Sequence, residues 1–143
     1  MTAPRSTQPW TDPEPDIAAF LDDYDQRGAA SGGDPTALFA PQFLAVDPAR
    51  ALALTPEVLA RALPARRQLF DAAGVGPIRR QAARQLRLDD RHVLISADWT
   101  AEREGGQPLQ LASTFLVRRE PEGPRILVYL NHKDIAALLG APV

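Results

Sequence analysis

Residues 78 to 132, IRRQAARQLRLDDRHVLISADWTAEREGGQPLQLASTFLVRREPEGPRILVYLNH, alternate between apolar and polar side chains over most of their length. A period of two is typical of β-strands, and three short polar connections interrupt it at Asp89-Asp90, Gly105-Gly106 and residues 120 to 124. Connections this short join antiparallel neighbours. The stretch therefore predicts a curved antiparallel meander of four strands, at 78–88, 92–103, 109–118 and 125–132.

The second and third strands of this meander each have one apolar face and one mixed face. Alternation places on the apolar side Val93, Ile95, Ala97, Trp99, Leu109, Leu111, Ser113, Phe115 and Val117. We expect this face to lie beneath helices, and the mixed face, which carries Asp98, to meet solvent or a second subunit. On the last strand both faces are apolar, which indicates that its second face is covered as well. With the two faces reversed, polar side chains would line the pocket: Ser96, Asp98, Thr100, Thr114, Tyr129 and Asn131.

Three helices and one short strand are predicted before the meander. Asp-Pro and Thr-Pro pairs mark the helix starts, because the polar side chain accepts from free backbone amides and proline suits the first turn. The helices are expected at 13–28, at 36–40 and between Thr55 and Gly74. Residues 43 to 46 form a short first strand that ends at Asp47-Pro48. The predicted fold class is α+β, with three N-terminal helices packed on the concave face of the sheet and a last short helix at 135–139.

Length and composition indicate one globular domain. The chain has 143 residues, 45% of them hydrophobic, which suits a single core. We expect a flexible arm at 1–12, one domain at 13–139 and a tail at 140–143. A formal charge of −2 gives no general attraction to nucleic acid or to an anionic membrane, and the absence of cysteine excludes disulfides and thiolate chemistry. With no apolar stretch long enough for a bilayer, the prediction is a cytoplasmic protein without nucleic-acid or membrane partners.

The order of these elements resembles a known superfamily. Helix, short helix, strand, helix and four-strand meander, together with the segments GGDPTALFAPQFLAVDP, ADWTAE, STFLVRRE and GPRILVYLNHKDI, resemble the nuclear transport factor 2-like (SnoaL-like) superfamily and its cystatin-like cone fold. The resemblance implies a pocket between helices and sheet for a small, largely apolar ligand. It also implies a homodimer through the open sheet face. The superfamily contains both enzymes and binding domains, so the fold alone does not specify a reaction.

Asp47 is the first candidate for a catalytic residue. In ketosteroid-isomerase-like members, a similar Asp-Pro pair supplies the base that moves a proton beside a carbonyl. That chemistry also needs donors for the enolate oxygen. Where those members place a tyrosine this chain has Phe20, and where they place a protonated acid it has Thr114 or Phe115, so Tyr24 would have to act instead. The alternative is that Asp47 only caps the turn after its strand.

His132 is the second candidate. With Asp134 it resembles the histidine-carboxylate pairs of dehydratase-like members, which act as acid and base. The alternative is that residues 131 to 134 cap the C-terminal helix. The two histidines, His92 and His132, show no spacing typical of a metal site, so we expect neither a metal nor a cofactor.

Three functions remain open at this stage. The first is a domain that binds a small hydrophobic molecule without catalysis of its own, in a pocket lined by Phe20, Tyr24, Phe70, Trp99, Phe115 and Asn131. The second is an isomerase or dehydratase of ketosteroid or polyketide type, with Asp47 as general base and Tyr24 or His132 as its acid partner. The third is a protein-interaction module that uses the exposed sheet face.

Overall fold

The computed structural model describes residues 9–29 and 34–139. Within this part of the chain, the sheet has six strands, named β1 (Phe39–Val46), β2 (Ala51–Leu54), β3 (Arg79–Arg87), β4 (His92–Ala101), β5 (Leu109–Glu120) and β6 (Gly123–Asn131). The helices are α1 (Pro15–Ala29), α2 (Pro56–Ala72) and the short α3 (Ile135–Leu138). A 3-10 turn at Pro35–Leu38 leads into β1. None of the helices described is long and apolar enough to span a membrane.

The strands form one curved mixed sheet in the order β2-β1-β6-β5-β4-β3. From β3 to β6, consecutive strands pair antiparallel, as the short connections between them predict. The expectation of a wholly antiparallel sheet is wrong, because β1 pairs parallel with β6. These two strands are separated by α2 and by four other strands, and so long a connection allows either direction.

The sheet also has one strand more than the sequence predicts. Asp47-Pro48 does not only end β1 but turns the chain into β2, with the Asp47 N–H donating to the Arg50 carbonyl over 2.9 Å. The side chains of β2 are largely exposed, as befits an edge strand of four residues. Its sequence, ALAL, alternates small and large side chains but has no polar residues that would identify an exposed face, so alternation does not predict this strand.

The segment expected as the second of three helices is a single 3-10 turn. Asp34 caps it by accepting from the Thr36 N–H over 2.8 Å. The extended backbone of β1 begins at Phe39, which leaves only four residues for helical structure. Of the part of the chain that the structure describes, two N-terminal α-helices therefore cover the sheet instead of three.

The apolar face of β4 and β5 is the buried one and faces the helices. Val93, Ile95, Phe115 and Val117 have no exposed surface. From α1, Ile17 and Leu21 are also fully buried in the same core. Asp98 lies on the other, exposed face, where it pairs with Ala112 of β5.

The last strand departs from simple alternation because it contains a β-bulge. Ile126 pairs with Val117 and Val128 pairs with Leu116, so that Leu127 is an extra residue in β6. An extra residue reverses which side chains point to which face beyond it. The inner face of β6 is thus reached by Ile126 before the bulge and by Tyr129 and Asn131 after it.

The outer face of the sheet carries an apolar strip that runs across four neighbouring strands. Register places in this strip Leu44, Val46, Leu94, Leu116, Val128 and Leu130. Leu44 is 44% exposed and the others lie at partly exposed positions. A homodimer through this face stays a prediction.

The N-terminal segment is attached to the edge strand β3. The Thr11 N–H donates to the Gln85 carbonyl over 2.9 Å, and the Gln85 N–H donates back over 2.8 Å. Thr11 is therefore paired with the edge of the sheet. The rest of the predicted arm as far as residue 8, and the predicted tail at 140–143, lie outside the described residues.

An ion pair ties the start of α1 to the end of β5. Arg119 donates from Nε to Asp16 Oδ2 over 2.8 Å and from Nη2 to Asp16 Oδ1 over 3.1 Å. These hydrogen bonds lower the pKa of Asp16, although its partial burial opposes them. A carboxyl whose pKa is lowered by folding stabilises the protein above its unfolded value, here 3.8, and this contribution is lost as the pH falls through the folded value.

Asp16→Asn is expected to lower the free energy of unfolding by about 0.5–1 kcal/mol at pH 7, because the pair is bidentate but partly screened by water. The difference from wild type should shrink as the pH falls below 3.8. Urea denaturation at several pH values measures it. The matched control is Asp98→Asn, since the Asp98 side chain is exposed and forms no ion pair with any described residue. A deficit that persists undiminished in acid would contradict this account of Asp16.

Candidate functional site

A cavity of about 540 Å³ lies between α1, α2 and the inner face of the sheet. Its volume is within the range typical of small-molecule sites. Apolar side chains form most of its wall: Leu63, Phe70, Val75, Ile78, Trp99 and Leu111. Polar side chains are Tyr24, Asp25, Arg66, Arg67, Asp71, Ser113, Tyr129 and Asn131.

The end of α2 forms one side of the cavity mouth. Gly74 has a φ of 72°, a left-handed conformation that ends the helix and that side chains with a Cβ disfavour. The Val75 N–H returns to the Phe70 carbonyl over 3.1 Å. The turn brings Val75 to Ile78 against the cavity before β3 begins.

An aromatic cluster supports the inner wall. The ring of Phe115 lies 5.4 Å from that of Tyr24, 5.2 Å from Tyr129 and 5.9 Å from Trp99. Centroid distances in this range are favourable for tilted and edge-to-face pairs. Phe115 itself is fully buried behind the wall, so it fixes the three rings that reach the cavity.

The main polar group of the cavity is centred on Tyr129. Burial by itself would raise the pKa of Tyr129, but the positive charge of Arg66 and the neighbouring polar side chains of Tyr24 and Ser113 outweigh burial and lower it. Burial and the neighbouring Tyr129 raise the pKa of Tyr24 well above its ordinary value. Next to this group, Ser113 Oγ donates to Asn131 Oδ1 over 2.9 Å.

Asp25 forms a second polar group on α1. Burial raises its pKa, although the Trp99 indole donates to Oδ1 over 3.3 Å and Arg80 Nη1 lies 3.2 Å from Oδ2. Arg80 also donates to Asp22 over 2.8 Å. Asp25 is thus a cavity carboxyl with two partners already in place.

Comparison with solved structures identifies the fold. Over 82% of this chain and 97% of the other, an NTF-2-like protein of unknown function from Shewanella oneidensis superposes with a TM-score of 0.66 at 13% identity. Aln2 from a Streptomyces species gives 0.65 at 18% identity, covering 91% of this chain and 99% of its own. The chain has the nuclear transport factor 2-like fold.

Function is not identified by these likenesses. A protein with a ketosteroid isomerase-like fold from Catenulispora acidiphila, solved in complex with trimethylamine, has a TM-score of 0.57 and 21% identity over 92% of this chain and 96% of its own. No protein-family model matches the chain, and no curated protein matches its sequence. At these identities, the nuclear transport factor 2-like fold is what the chain shares with its neighbours.

The structure does not bring the three candidate catalytic residues together. Tyr24 lines the cavity. Asp47 does not line it, and its carboxylate accepts from the N–H groups of Ala49 and Arg50, over 2.8 and 3.0 Å, as a turn residue does. His132 is exposed, with Nε2 2.7 Å from the Thr114 hydroxyl.

The predicted histidine-carboxylate pair is likewise not formed. Asp134 caps α3 by accepting from the Ala137 N–H over 3.3 Å, which is the alternative that the sequence left open. Among the residues that the structure describes, no group of three or more acidic or histidine side chains is placed to hold a metal ion.

The predicted lining residues divide into two groups. Phe70, Trp99 and Asn131, like Tyr24, line the cavity of this nuclear transport factor 2-like fold. Phe20 and Phe115 are buried in the core and do not reach the cavity. Both residues lie on inward faces, but the side chains of an inward face form the core as well as the cavity wall.

Sequence reasoning missed the contribution of Arg66. Leu63, Arg66 and Phe70 stand three and four residues apart and therefore share one face of α2, but this spacing does not show that the face borders a cavity. Asp25 was missed because it is a charged residue next to Tyr24 in the sequence and is not part of the apolar pattern of α1. Tyr129 and Asn131 share the cavity only because of the bulge in β6.

Proposed function

We propose that this chain binds a small, largely apolar molecule in the cavity between α1, α2 and the sheet. The observation that carries the proposal is the cavity itself, about 540 Å³ in volume, with a largely apolar wall and polar side chains that include Tyr24, Arg66 and Tyr129. That combination is typical of small-molecule sites. The geometry gives no support to proton transfer by Asp47, because its carboxylate is engaged in the turn between β1 and β2.

The test is to reduce the cavity and measure binding of a neutral apolar probe. Wild type is expected to increase the fluorescence of N-phenyl-1-naphthylamine in a saturable manner. Leu63→Trp places an indole in the cavity and should weaken binding about tenfold, since overlap with a bound ligand costs on the order of 1–3 kcal/mol.

Val58→Trp is the matched control. Val58 lies on the same helix, is 43% exposed and does not line the cavity, so this variant should bind like wild type. Circular dichroism establishes that both variants are folded. The proposal would be wrong if the folded wild type did not bind the probe, or if both variants weakened binding of the probe equally.

A further inference from the structure

Arg66 brings a positive charge into the cavity without an acidic partner. It lines the cavity from the middle of α2 and, among the residues that the structure describes, it forms no ion pair. Its guanidinium carbon lies 5.4 Å from the centre of the Phe70 ring, one turn further along the helix. This contact with the ring orients the side chain but leaves its charge uncompensated.

The acids of the cavity do not supply the missing charge. Asp25 is already held by Arg80 at 3.2 Å and by the Trp99 indole at 3.3 Å. Asp71 also lines the cavity but is exposed and forms no ion pair with a described residue. Arg66 is therefore a cation at the cavity wall, and an apolar ligand that fills the cavity would displace the water that hydrates its guanidinium.

Displacing that water is costly unless the ligand itself carries a negative charge. Removing a guanidinium from water without a partner is strongly unfavourable, whereas a charge-assisted pair with good geometry offsets much of the loss. The guanidinium is planar and matches the two oxygens of a carboxylate. The surroundings already favour negative charge, because the Arg66 guanidinium lowers the pKa of Tyr129 against the effect of burial.

We infer that the ligand is a small hydrophobic carboxylic acid whose carboxylate is bound by Arg66 beside Tyr129. Its apolar body lies against Phe70, Trp99 and Leu111. The inference rests on the proposed function, since it specifies the chemistry of the molecule that occupies the same cavity. Arg67, which lines the cavity from an exposed position, adds a second positive charge near the entrance.

The test compares two probes that differ in charge but hardly in shape, 2-naphthylacetate and 2-naphthylacetamide. Isothermal titration at pH 7 is expected to show the acid binding wild type at least about tenfold more tightly than the amide, in line with one charge-assisted pair. Raising the salt concentration from about 0.05 to about 0.5 M should weaken binding of the acid and leave the amide unchanged.

Variants of Arg66 assign the preference to its charge. Arg66→Met keeps the apolar stem, so the acid should lose its advantage while the amide binds within about twofold of wild type. Arg66→Lys keeps the charge without the planar fork and should retain part of the preference. Arg61→Met is the matched control, because Arg61 is exposed on the same helix and does not line the cavity.

The outcomes separate this inference from the proposed function. If acid and amide bind wild type equally, or if the preference survives in Arg66→Met, the inference is overturned while binding of apolar molecules stands. If neither naphthyl compound binds and the neutral N-phenyl-1-naphthylamine also fails to bind, both are overturned. Should Arg66→Met not fold, the wild-type ratio, its salt dependence and Arg66→Lys still decide the question.

Discussion

Phe115→Ala is expected to lower the free energy of unfolding by about 4 kcal/mol, in the middle of the range for truncation of a buried phenylalanine. The Phe115 side chain has no exposed surface, and its ring contacts those of Tyr24, Trp99 and Tyr129. Truncation removes the buried ring and three aromatic pairs together. It also leaves a void next to the cavity between α1, α2 and the sheet. Urea denaturation followed by far-ultraviolet circular dichroism measures the change.

Two further variants give this result a scale. Phe115→Leu should cost only about 1–1.5 kcal/mol, because most of the buried volume is kept. Leu88→Ala removes an apolar side chain that is 51% exposed and should stay within about 0.5 kcal/mol of wild type. A loss below about 2 kcal/mol for Phe115→Ala would mean that the aromatic cluster is not the centre of the core.

Alternation predicted the inner face of the central strands because each residue there has one clear preference. Val93 and Ile95 are buried, whereas the intervening Leu94 is partly exposed on the opposite face. The polar residues further along the strand identify that opposite face although Leu94 is apolar. In β6 the sequence ILVYL is apolar in both registers. A bulge at Leu127 therefore leaves no trace in the pattern, although it decides that Tyr129 reaches the cavity.

The parts of the fold that sequence missed depend on contacts between distant segments. The strand β2 is recognisable only from its pairing with β1, since ALAL has no turn signal other than Asp47-Pro48, which also ends β1. The direction of β1 beside β6 is likewise set by pairing between segments far apart in the chain. Propensity and periodicity describe neighbours in sequence and carry little information on such pairs.

The candidate site was predictable in its aromatic part and not in its charged part. Tyr24 and Trp99 were found because large side chains on inward faces must lie in the core or the cavity wall. Arg66 breaks the apolar pattern of α2, and a charged residue on a helix is ordinarily solvated. Only the position of the cavity shows that this arginine lies at its wall.

Gln85→Glu is expected to destabilise the protein by about 3 kcal/mol at pH 7. The Gln85 side chain is 1% exposed, and both of its polar atoms bind Glu14. Gln85 Nε2 donates to Glu14 Oε1 over 2.8 Å, and Gln85 Oε1 accepts from the Glu14 N–H over 2.8 Å. The variant keeps the second hydrogen bond and replaces the first with two carboxylates in contact, at the point where the start of α1 meets β3.

The pH dependence distinguishes repulsion from a simple loss of packing. Burial beside another carboxylate raises the folded pKa of the introduced carboxyl above its unfolded value of about 4.3. The loss of stability relative to wild type should therefore grow as the pH rises above about 4.3 and level off beyond the folded pKa. In acid, the protonated carboxyl can donate a hydrogen bond to Glu14, so that the loss of stability should fall to about 1 kcal/mol. Gln81→Glu, exposed on the same strand, should change stability by less than about 0.5 kcal/mol at any pH. A deficit in Gln85→Glu that is equal at pH 4 and pH 7 would show that the Gln85 amide acts through its shape and not through its bond to Glu14.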